Sequence, residues 1–281
     1  MPNSKDIYKW MVEHITVDEP SEEVAGIAYL LLEKKFNITR SQIIAGREVP
    51  FSEGEAKGFI DRINKGEPIQ YIIGTQEFYG REFEVNPSVL IPRPETELLV
   101  STVLSHLDNL KISNPKILDI GTGSGCIPIT LQLEIGLASI GGIDISETAI
   151  ATARRNNARH HTEVRFSIAD VLSQPLPDHH YDIIVGNPPY VTEKEKPYLK
   201  ENVLNFEPHL ALFVPDHDPL LFYKAIARKS RECLNYGGAV VVEVNELHGN
   251  DVEVAFMDHS FRFIELIKDY SGKDRVVKAI L

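Results

Sequence analysis

The first 66 residues carry apolar side chains at the spacing of amphipathic helices. These side chains recur three and four positions apart, at Val24, Ile27, Ala28 and Leu31 and again at Ala56, Phe59, Ile60 and Ile63. Residues 39–42 and 52–55 begin with Thr or Ser and end three positions later with Gln or Glu, which is the spacing of a helix-capping box. The pattern predicts several short helices, and we assign residues 1–68 to a small N-terminal helical domain.

A strand-like pattern replaces the helical one after residue 68. Residues 77–85 alternate apolar and polar side chains around Gly80 and Arg81, which predicts a β-hairpin that turns at these two residues. We therefore assign residues 69–88 to a β-hairpin linker that bridges two domains.

From residue 116 onward, short apolar runs rich in β-branched residues alternate with helical segments. The runs at 116–120, 138–143, 163–168, 181–186 and 239–244 each predict a buried strand. Strand–helix alternation is typical of a parallel sheet, because parallel strands need a crossover connection. Two final runs, at 261–266 and 274–280, predict an antiparallel pair at the sheet edge. Residues 89–281 are therefore expected to form one α/β domain.

Composition narrows the class of protein. The chain has 281 residues, of which 43% are hydrophobic and 25% charged, as in ordinary globular proteins. Its formal net charge of −12 argues against duplex nucleic acid as a stable partner, since such proteins need a basic surface. Cys126 and Cys233 lack metal or redox spacing, the ten His residues show no ligand pattern, and we expect no metal. Without a signal pattern or a membrane-length apolar run, we expect a cytoplasmic protein with no membrane partner.

A glycine-rich turn follows the strand at 116–120. Its residues are Gly121, Thr122, Gly123, Ser124 and Gly125. Such a turn lets a ligand approach the backbone at a helix N-terminus. The dinucleotide fingerprint would need glycine where Cys126 stands, and no lysine follows a glycine as in a phosphate-binding loop. Asp119 precedes the turn, and its carboxylate suits a cationic ligand better than a pyrophosphate.

Acidic residues follow the next two strands. Asp144, with Ile145 beside it, ends the second strand and is placed to bind both hydroxyls of a ribose. An alternative role for Asp144 is to cap the helix that starts near Ser146. Asp170 ends the third strand and could accept from an adenine amino group, while Val171 packs against the ring. A glycine turn, a ribose-binding acid and an adenine site on successive strands predict an S-adenosylmethionine pocket.

The fourth strand, 181–186, leads into Asn187, Pro188, Pro189 and Tyr190. The Asn187 side-chain oxygen and the Pro188 carbonyl can each accept one N–H of a planar amino group. Accepting both hydrogens favours a more tetrahedral nitrogen with an outward lone pair, and Tyr190 can stack on the flat group. The strand end also brings Asn187 next to the methyl group of the predicted donor. The alternative is a simple turn after a strand, since Asn-Pro favours turns.

Arg93 stands between Pro92 and Pro94, ahead of a segment with helical spacing. One interpretation is a loop followed by a helix start, with Pro94 in the first turn. The other is a lip of the active site, in which Arg93 contacts the substrate.

Together these motifs closely resemble the HemK/PrmC family, the N5-glutamine methyltransferases of peptide chain release factors. The matching segments are 68–74, 78–80, 91–97, 121–125, 187–190, 207–208, 211–213 and 271–276. One departure is the loop at 243–248, where Asn245 and His248 replace the usual Gly and Gln. The resemblance implies a Rossmann-like seven-stranded methyltransferase sheet, mostly parallel with an antiparallel C-terminal edge, preceded by the helical bundle.

The resemblance also implies the reaction and the partner. The methyl donor is S-adenosyl-L-methionine, the product is S-adenosyl-L-homocysteine, and the acceptor is the glutamine of the Gly-Gly-Gln motif in class I release factors. Asn187, Pro188 and Tyr190 would be catalytic, and Arg93, Glu207 and Pro189 would contact the substrate. The helical domain would recognise the release factor, and the enzyme is expected to be a monomer.

Two other functions fit parts of the pattern. An adenine-N6 methyltransferase would grip an exocyclic amino group with the same two hydrogens and flat face. It would need a basic cleft, against which the charge of −12 counts. The third hypothesis is a binding protein that keeps the fold without catalysis. The presence of Asp144, Asn187 and Tyr190 argues against it.

Overall fold

The computed structural model describes residues 1–281 and divides them into two compact units. The helical unit comprises Met1–Thr75 and Lys200–Phe206, and the sheet unit comprises Gln76–Leu199 and Glu207–Leu281. The boundary near residue 75 falls inside the segment assigned from sequence to a linker. That residues 200–206 join the helical unit is a feature that no pattern in the sequence indicated.

Eleven α-helices, three 3₁₀ helices (Pro94–Thr96, Glu193–Tyr198 and His209–Ala211) and eleven strands make up these units. In chain order the helices are α1 (Ser4–His14), α2 (Ser21–Phe36), α3 (Arg40–Ala45), α4 (Glu53–Asn64), α5 (Ile69–Ile73), α6 (Glu97–Leu110), α7 (Cys126–Ile135), α8 (Glu147–Arg159), α9 (Glu201–Phe206), α10 (Leu221–Cys233) and α11 (Gly249–Met257). The strands are β1 (Thr75–Phe78), β2 (Arg81–Glu84), β3 (Lys116–Ile120), β4 (Ser139–Asp144), β5 (Arg165–Ile168), β6 (Tyr181–Gly186), β7 (Val191–Thr192), β8 (Phe213–Val214), β9 (Leu234–Glu243), β10 (Phe263–Lys268) and β11 (Asp274–Ile280). No helix combines the length and apolar character that a membrane span requires.

The helical unit forms as its sequence predicts. Thr39 and Gln42 make the expected capping box at the start of α3, and the Ser52 hydroxyl accepts from the Glu55 N–H at the start of α4. These bonds satisfy amide groups that have no partner inside a helix. The core of the unit is closed by fully buried side chains of α1 and α2, among them Met11 and Leu31.

The linker segment differs from the prediction in two ways. Residues 69–73 form the short helix α5 instead of part of a hairpin, because Pro68 precedes it and Gly74, at φ 87°, ends it in the left-handed conformation. The hairpin β1–β2 turns at Tyr79 and Gly80, with φ of 51° and 70°, and not at Gly80-Arg81. Two successive positive φ values are what a tight two-residue hairpin turn requires.

The main sheet has seven strands in the order β10-β11-β9-β6-β3-β4-β5. Neighbouring strands from β9 to β5 are parallel, and the β10–β11 and β11–β9 pairs are antiparallel. The Rossmann-like sheet with an antiparallel edge expected from the sequence is therefore confirmed. The chain runs outward from β3 to β5 and then returns to β6 on the other side of β3, so a crevice opens at the carboxyl ends of β3 and β6.

Both faces of this sheet are buried, as its apolar strands predict. One face carries Ile117 and Ile183 in a core with α6 and α7, and the other carries Leu118 and Ile184 in a core with α10 and α11. At the mouth of the crevice, β3 and β6 approach closely. A Cβ atom on Gly186 would lie 2.6 Å from the Ile120 carbonyl oxygen, so glycine is needed there.

Candidate active site

A cavity of about 230 Å³ lies at the carboxyl ends of the central strands, inside the sheet unit. Twelve of the residues singled out from sequence line it: Arg93, Gly121, Thr122, Gly123, Ser124, Asp144, Ile145, Asp170, Val171, Asn187, Pro188 and Pro189. The segments containing them are far apart in the chain. Because the carboxyl ends of parallel strands meet at one sheet edge, the topology brings them together.

Four predicted site residues do not line this cavity: Asp119, Gly125, Tyr190 and Glu207. Gly125 is required by packing, since a Cβ atom there would lie 3.1 Å from Ala153, Ile129 and Phe166 side-chain atoms. It also adopts φ 79° where α7 begins. The other three act behind the cavity wall.

The turn after β3 is held open to a ligand by its own backbone. The N–H groups of Gly121 and Thr122 both donate to the Ile143 carbonyl, which ties the turn to β4. Gly121 and Gly123 have φ of 73° and 52°, a conformation that side-chain-bearing residues rarely adopt. The turn therefore leads into α7 with no side chain projecting from either glycine.

Asp119 lies fully buried beneath this turn. Neither of its carboxylate oxygens has a hydrogen-bond partner of good geometry, and the same is true of the buried Thr122 and Ser124 hydroxyl oxygens, although the Thr122 hydroxyl lies close enough to Asp119 to lower its pKa in part. Burial raises the pKa of Asp119 to about 7, and the nearby Asp144 carboxylate adds to the rise. An unpaired buried carboxylate is costly, and a cation placed on the turn above it would offset that cost.

Asp144 connects the turn to the next helix. Its Oδ2 accepts from the Gly123 N–H at 2.9 Å and its Oδ1 from the Ser146 N–H at 2.9 Å. The N-cap of α8 is Ser146, whose hydroxyl accepts from Ala149, so the alternative capping role for Asp144 does not apply. Burial raises the pKa of Asp144. Each oxygen keeps a lone pair for a further donor from the cavity.

Both carboxylate oxygens of Asp170 accept hydrogen bonds from residues of its own loop. Its Oδ1 accepts from the Leu172 N–H and its Oδ2 from the Ser173 hydroxyl, and the Ser173 bond is the main reason that its pKa is lowered. Val171 beside it is buried and lines the cavity. This corner of the cavity therefore offers an apolar surface with a carboxylate at its rim.

Asn187 follows β6 and is connected through hydrogen bonds to two residues that were not predicted as site residues, Thr96 directly and Glu243 through Thr96. Its Nδ2 donates to the Thr96 hydroxyl at 3.4 Å, and that hydroxyl donates to Glu243 Oε2 at 2.7 Å. With the amide nitrogen occupied in this way, the amide oxygen is the end available to a ligand. Glu243 ends β9, so the strand-end argument that identified Asp144 applies to it equally, whereas Thr96 lies in the lip segment and shows no separate signal.

Tyr190 belongs to the wall behind Asn187. Its hydroxyl donates to Glu243 Oε1 at 3.3 Å, and its ring packs against the core of the α10–α11 face. Burial raises the pKa of the Tyr190 hydroxyl and of the Glu243 carboxyl. The Tyr190 hydroxyl is therefore bonded to a protein partner, while the ring stays half-buried, and its stacking on a flat ligand stays a prediction.

Glu207 also differs from its expected role as a substrate contact. Its carboxylate is buried, accepts from the Ile91 N–H at 3.2 Å, and pairs with the Arg93 guanidinium. Arg93 itself lines the cavity and its side chain is 35% exposed. Glu207 therefore holds the lip in place, and Arg93 is the member of the pair that a ligand can reach.

Comparison with protein families matches two parts of the chain. Residues 94–206 match the Methyltransferase small domain, and residues 10–74 match the PrmC N-terminal domain. The second match falls in the helical unit.

Several curated relatives match almost end to end. Release factor glutamine methyltransferase of Bacteroides thetaiotaomicron is 44% identical over 92% of this chain and 94% of the relative. The proteins of the same name from Flavobacterium psychrophilum and Neisseria gonorrhoeae are each 38% identical, over 92% and 89% of this chain and 92% and 90% of theirs.

Solved structures show the same fold at low identity. A methyltransferase from Pyrococcus furiosus superposes with a TM-score of 0.51 at 17% identity, covering 82% of this chain and 98% of that one. The methyltransferase domain of METTL16 gives 0.53 at 15% identity, covering 73% and 90%. These likenesses support the sheet topology described above and carry no information on substrate.

Proposed function

Because this chain belongs to the release factor glutamine methyltransferase family, we propose that it methylates the glutamine of the Gly-Gly-Gln motif in class I peptide chain release factors. The methyl donor is S-adenosyl-L-methionine and the acceptor atom is the side-chain amide nitrogen, N5. The observation that carries this proposal is the position of Asn187 and Pro188, which line the same cavity as the glycine turn and Asp144. The predicted binding site for the acceptor amino group and the predicted site for a cationic ligand therefore lie in the same cavity.

The donor site fits the cationic methyl donor. When bound, S-adenosylmethionine supplies a methyl group on a positively charged sulfur and leaves as S-adenosyl-L-homocysteine. The residues that would hold it are the backbone of residues 121–125, Asp144 with Ile145 for the ribose, and Val171 with Asp170 for the adenine. Asp119, buried without a partner, would stabilise the positive charge through the low-dielectric interior.

The acceptor site works by position. An amide nitrogen is a poor nucleophile because its lone pair is delocalised. The Asn187 oxygen and the Pro188 carbonyl accept its two N–H bonds and favour the more tetrahedral nitrogen, an effect strongest in the transition state. As the new N–C bond forms and the S–C bond breaks, the nitrogen loses one proton, which passes by way of these acceptors to water. Arg93, anchored by Glu207, closes the rim, and proximity supplies much of the rate.

The proposal also covers the oligomeric state, the cellular compartment and the binding partners of the enzyme. We propose that the enzyme is a cytoplasmic monomer with no stable nucleic-acid partner, consistent with its charge of −12, and that residues 1–68 recognise the release factor. Hydrogen exchange measured with and without the release factor tests the last point. Protection should appear in α1–α4, and a complex that leaves these helices unprotected would contradict it.

The direct test is mass spectrometry of the acceptor. Purified protein is incubated with methyl-labelled S-adenosylmethionine and either a class I release factor, the same factor with its Gly-Gly-Gln glutamine replaced by Glu, or adenine-containing DNA and RNA. We expect one added methyl group on the tryptic peptide that contains the intact motif and none on the other substrates. Label on adenine, or on the Gln→Glu factor, would refute the proposed acceptor.

A further inference from the structure

A chain of buried hydrogen bonds runs from the cavity wall into the protein. Asn187 Nδ2 donates to Thr96 Oγ1, and Thr96 Oγ1 donates to Glu243 Oε2. Thr96, which lines the cavity, is 4% exposed and Glu243 2% exposed, so the bond between these two side chains is buried. The three residues come from three distant segments: the lip before α6, the end of β6 and the end of β9.

The direction of these bonds follows from their chemistry. A carboxylate only accepts hydrogen bonds. Burial raises the pKa of Glu243, while the hydroxyl donors of Thr96 and Tyr190 and the charge of Arg275 act the other way and favour its ionised form. The Thr96 proton is therefore committed to Glu243. Its oxygen is left as an acceptor, and the end of the Asn187 carboxamide that faces it must be the nitrogen.

The orientation of this carboxamide decides what the cavity presents. With Nδ2 on Thr96, the oxygen is available to accept from the substrate amide. Rotation by half a turn about the last side-chain bond would place –NH2 in the cavity instead, where it would face the N–H groups of the acceptor. Two donors facing each other cannot bond, so a carboxamide free to rotate would spend part of its time in an inactive orientation.

We propose that Thr96 is a positioning residue whose hydroxyl, anchored by Glu243, holds the Asn187 carboxamide with its oxygen toward the methyl-accepting nitrogen. This inference rests on the proposed function for its kinetic consequence, although not for the bond itself. Glu243 is in turn fixed on both sides, since Tyr190 donates to its Oε1 and Tyr223 donates to its backbone carbonyl at 3.0 Å. The orientation is set before substrate binds.

Two substitutions at one position separate the hydroxyl from the rest of the side chain. Thr96→Val keeps size and branching but removes the hydroxyl, and Thr96→Ser keeps the hydroxyl. We expect Thr96→Val to lower kcat about tenfold, the size of one hydrogen bond in the transition state, with KM for the release factor and Kd for S-adenosylmethionine within about twofold. Thr96→Ser should restore most of kcat. Thr130→Val is the matched control, because Thr130 is fully buried and its hydroxyl has no partner.

A double-mutant cycle tests whether Thr96 acts through Asn187. In the Asn187→Ala background, measured by single turnover, Thr96→Val should cause no further loss, because the group that it orients is gone. Equal losses in both backgrounds, or the same loss in Thr96→Ser and Thr96→Val, would overturn the proposal in favour of a packing role.

A readout without catalysis separates this proposal from the proposed function. In protein labelled with ¹⁵N-asparagine, the Asn187 side-chain NH2 signal is identified by its loss in Asn187→Ala. Thr96→Val should shift that signal and speed its exchange with water, and Thr130→Val should not. An unmoved signal would refute the bond to Thr96. Failure of the wild-type protein to methylate the release factor would refute the proposed acceptor while this signal still decides the role of Thr96.

Discussion

The two sides of the cavity differ in how their buried polar groups are satisfied. On the glycine-turn side, Asp119, Thr122 and Ser124 carry buried oxygens with no hydrogen-bond partner. On the opposite side, the donors of Asn187, Thr96 and Tyr190 all lead to the carboxylate of Glu243. The first side is electrostatically incomplete without a ligand, and the second is complete before any ligand arrives.

This difference matches the two tasks of a methyl-transfer site. Unpaired buried groups raise the energy of the free protein, so a cationic ligand that compensates them gains affinity. A preorganised network contributes little to binding but avoids reorganisation at the moment of reaction, when it stabilises the transition state. Substitutions on the glycine-turn side should therefore change cofactor affinity, and substitutions on the Asn187 side should change turnover.

The largest expected effect is on turnover. Asn187→Ala removes an acceptor used mainly in the transition state, so kcat should fall by about a hundredfold or more, as for the loss of a preorganised donor elsewhere. Calorimetry should show S-adenosylmethionine binding within about threefold of the wild type. A variant that keeps near-normal kcat would contradict the amino-group grip, and one that loses cofactor binding instead would erase the contrast between the two sides.

The next effect is on affinity. Asp144→Ala removes a half-buried carboxylate that lines the cavity, and the cofactor should bind ~1.5–3 kcal/mol more weakly, the range for hydrogen bonds to a charged group. Calorimetric titration measures this directly. Asp178→Ala, which removes an exposed carboxylate far along the chain, is the control. Unchanged affinity in Asp144→Ala would exclude the ribose role. A loss of kcat at saturating cofactor would mean that Asp144 affects turnover, which the comparison assigns to the Asn187 side.

The sheet was predictable from the sequence because strands that are buried on both faces appear as runs of mostly apolar residues. Runs such as 116–120 and 181–186 are mostly apolar and rich in β-branched residues, and they coincide with β3 and β6. Helix α11 was not predicted, and it lacks a start signal, because its N-cap, His248, makes no side-chain capping bond. The start of the predicted linker proved to be helix α5, because Pro68 and Gly74 act as helix boundaries on a five-residue segment that is too short for periodicity to reveal a helix.

The site was predictable where function follows a strand end and unpredictable where it depends on side-chain direction. Asp144 and Asn187 were predicted because each lies at the carboxyl end of a parallel strand, and both line the cavity. Tyr190 and Glu207 were also singled out, yet both turn to protein partners, Glu243 and Arg93 respectively. Their direction is settled by contacts with residues that are 53 and 114 positions away in the chain, which no local pattern encodes.

A smaller effect concerns pH on the glycine-turn side. The pKa of Asp119 is raised to about 7 by burial, and a bound cation favours the ionised form, so the pKa falls on binding. Affinity for S-adenosylmethionine should therefore rise severalfold from pH 6 to pH 8, below the limit of about tenfold per pH unit for one proton, with proton release detectable by calorimetry in two buffers.

Asp119→Asn is the control for this pH dependence. It should flatten the change in affinity, and a slope that survives would assign the proton to Asp144, whose pKa burial also raises. The stability of the free protein should move in the opposite sense. A buried acid with a raised pKa binds more protons when folded than when unfolded, so its contribution falls as pH rises from about 4 to about 7.

The smallest effect separates two roles for Tyr190. If its ring stacked on the substrate, Tyr190→Phe would be silent and Tyr190→Leu would be harmful. Since its hydroxyl donates to Glu243, we expect Tyr190→Phe to lower the free energy of unfolding by ~1–2 kcal/mol, because one buried carboxylate oxygen loses its donor. Its effect on kcat should stay within about threefold, since the bond from Thr96 to the other oxygen remains. Urea unfolding and steady-state kinetics on the same samples measure both. A Tyr190→Phe protein as stable as the wild type would mean that this hydroxyl does not stabilise the buried Glu243 carboxylate. The hydrogen bonding on the Asn187 side would then be less complete than the comparison with the glycine-turn side states.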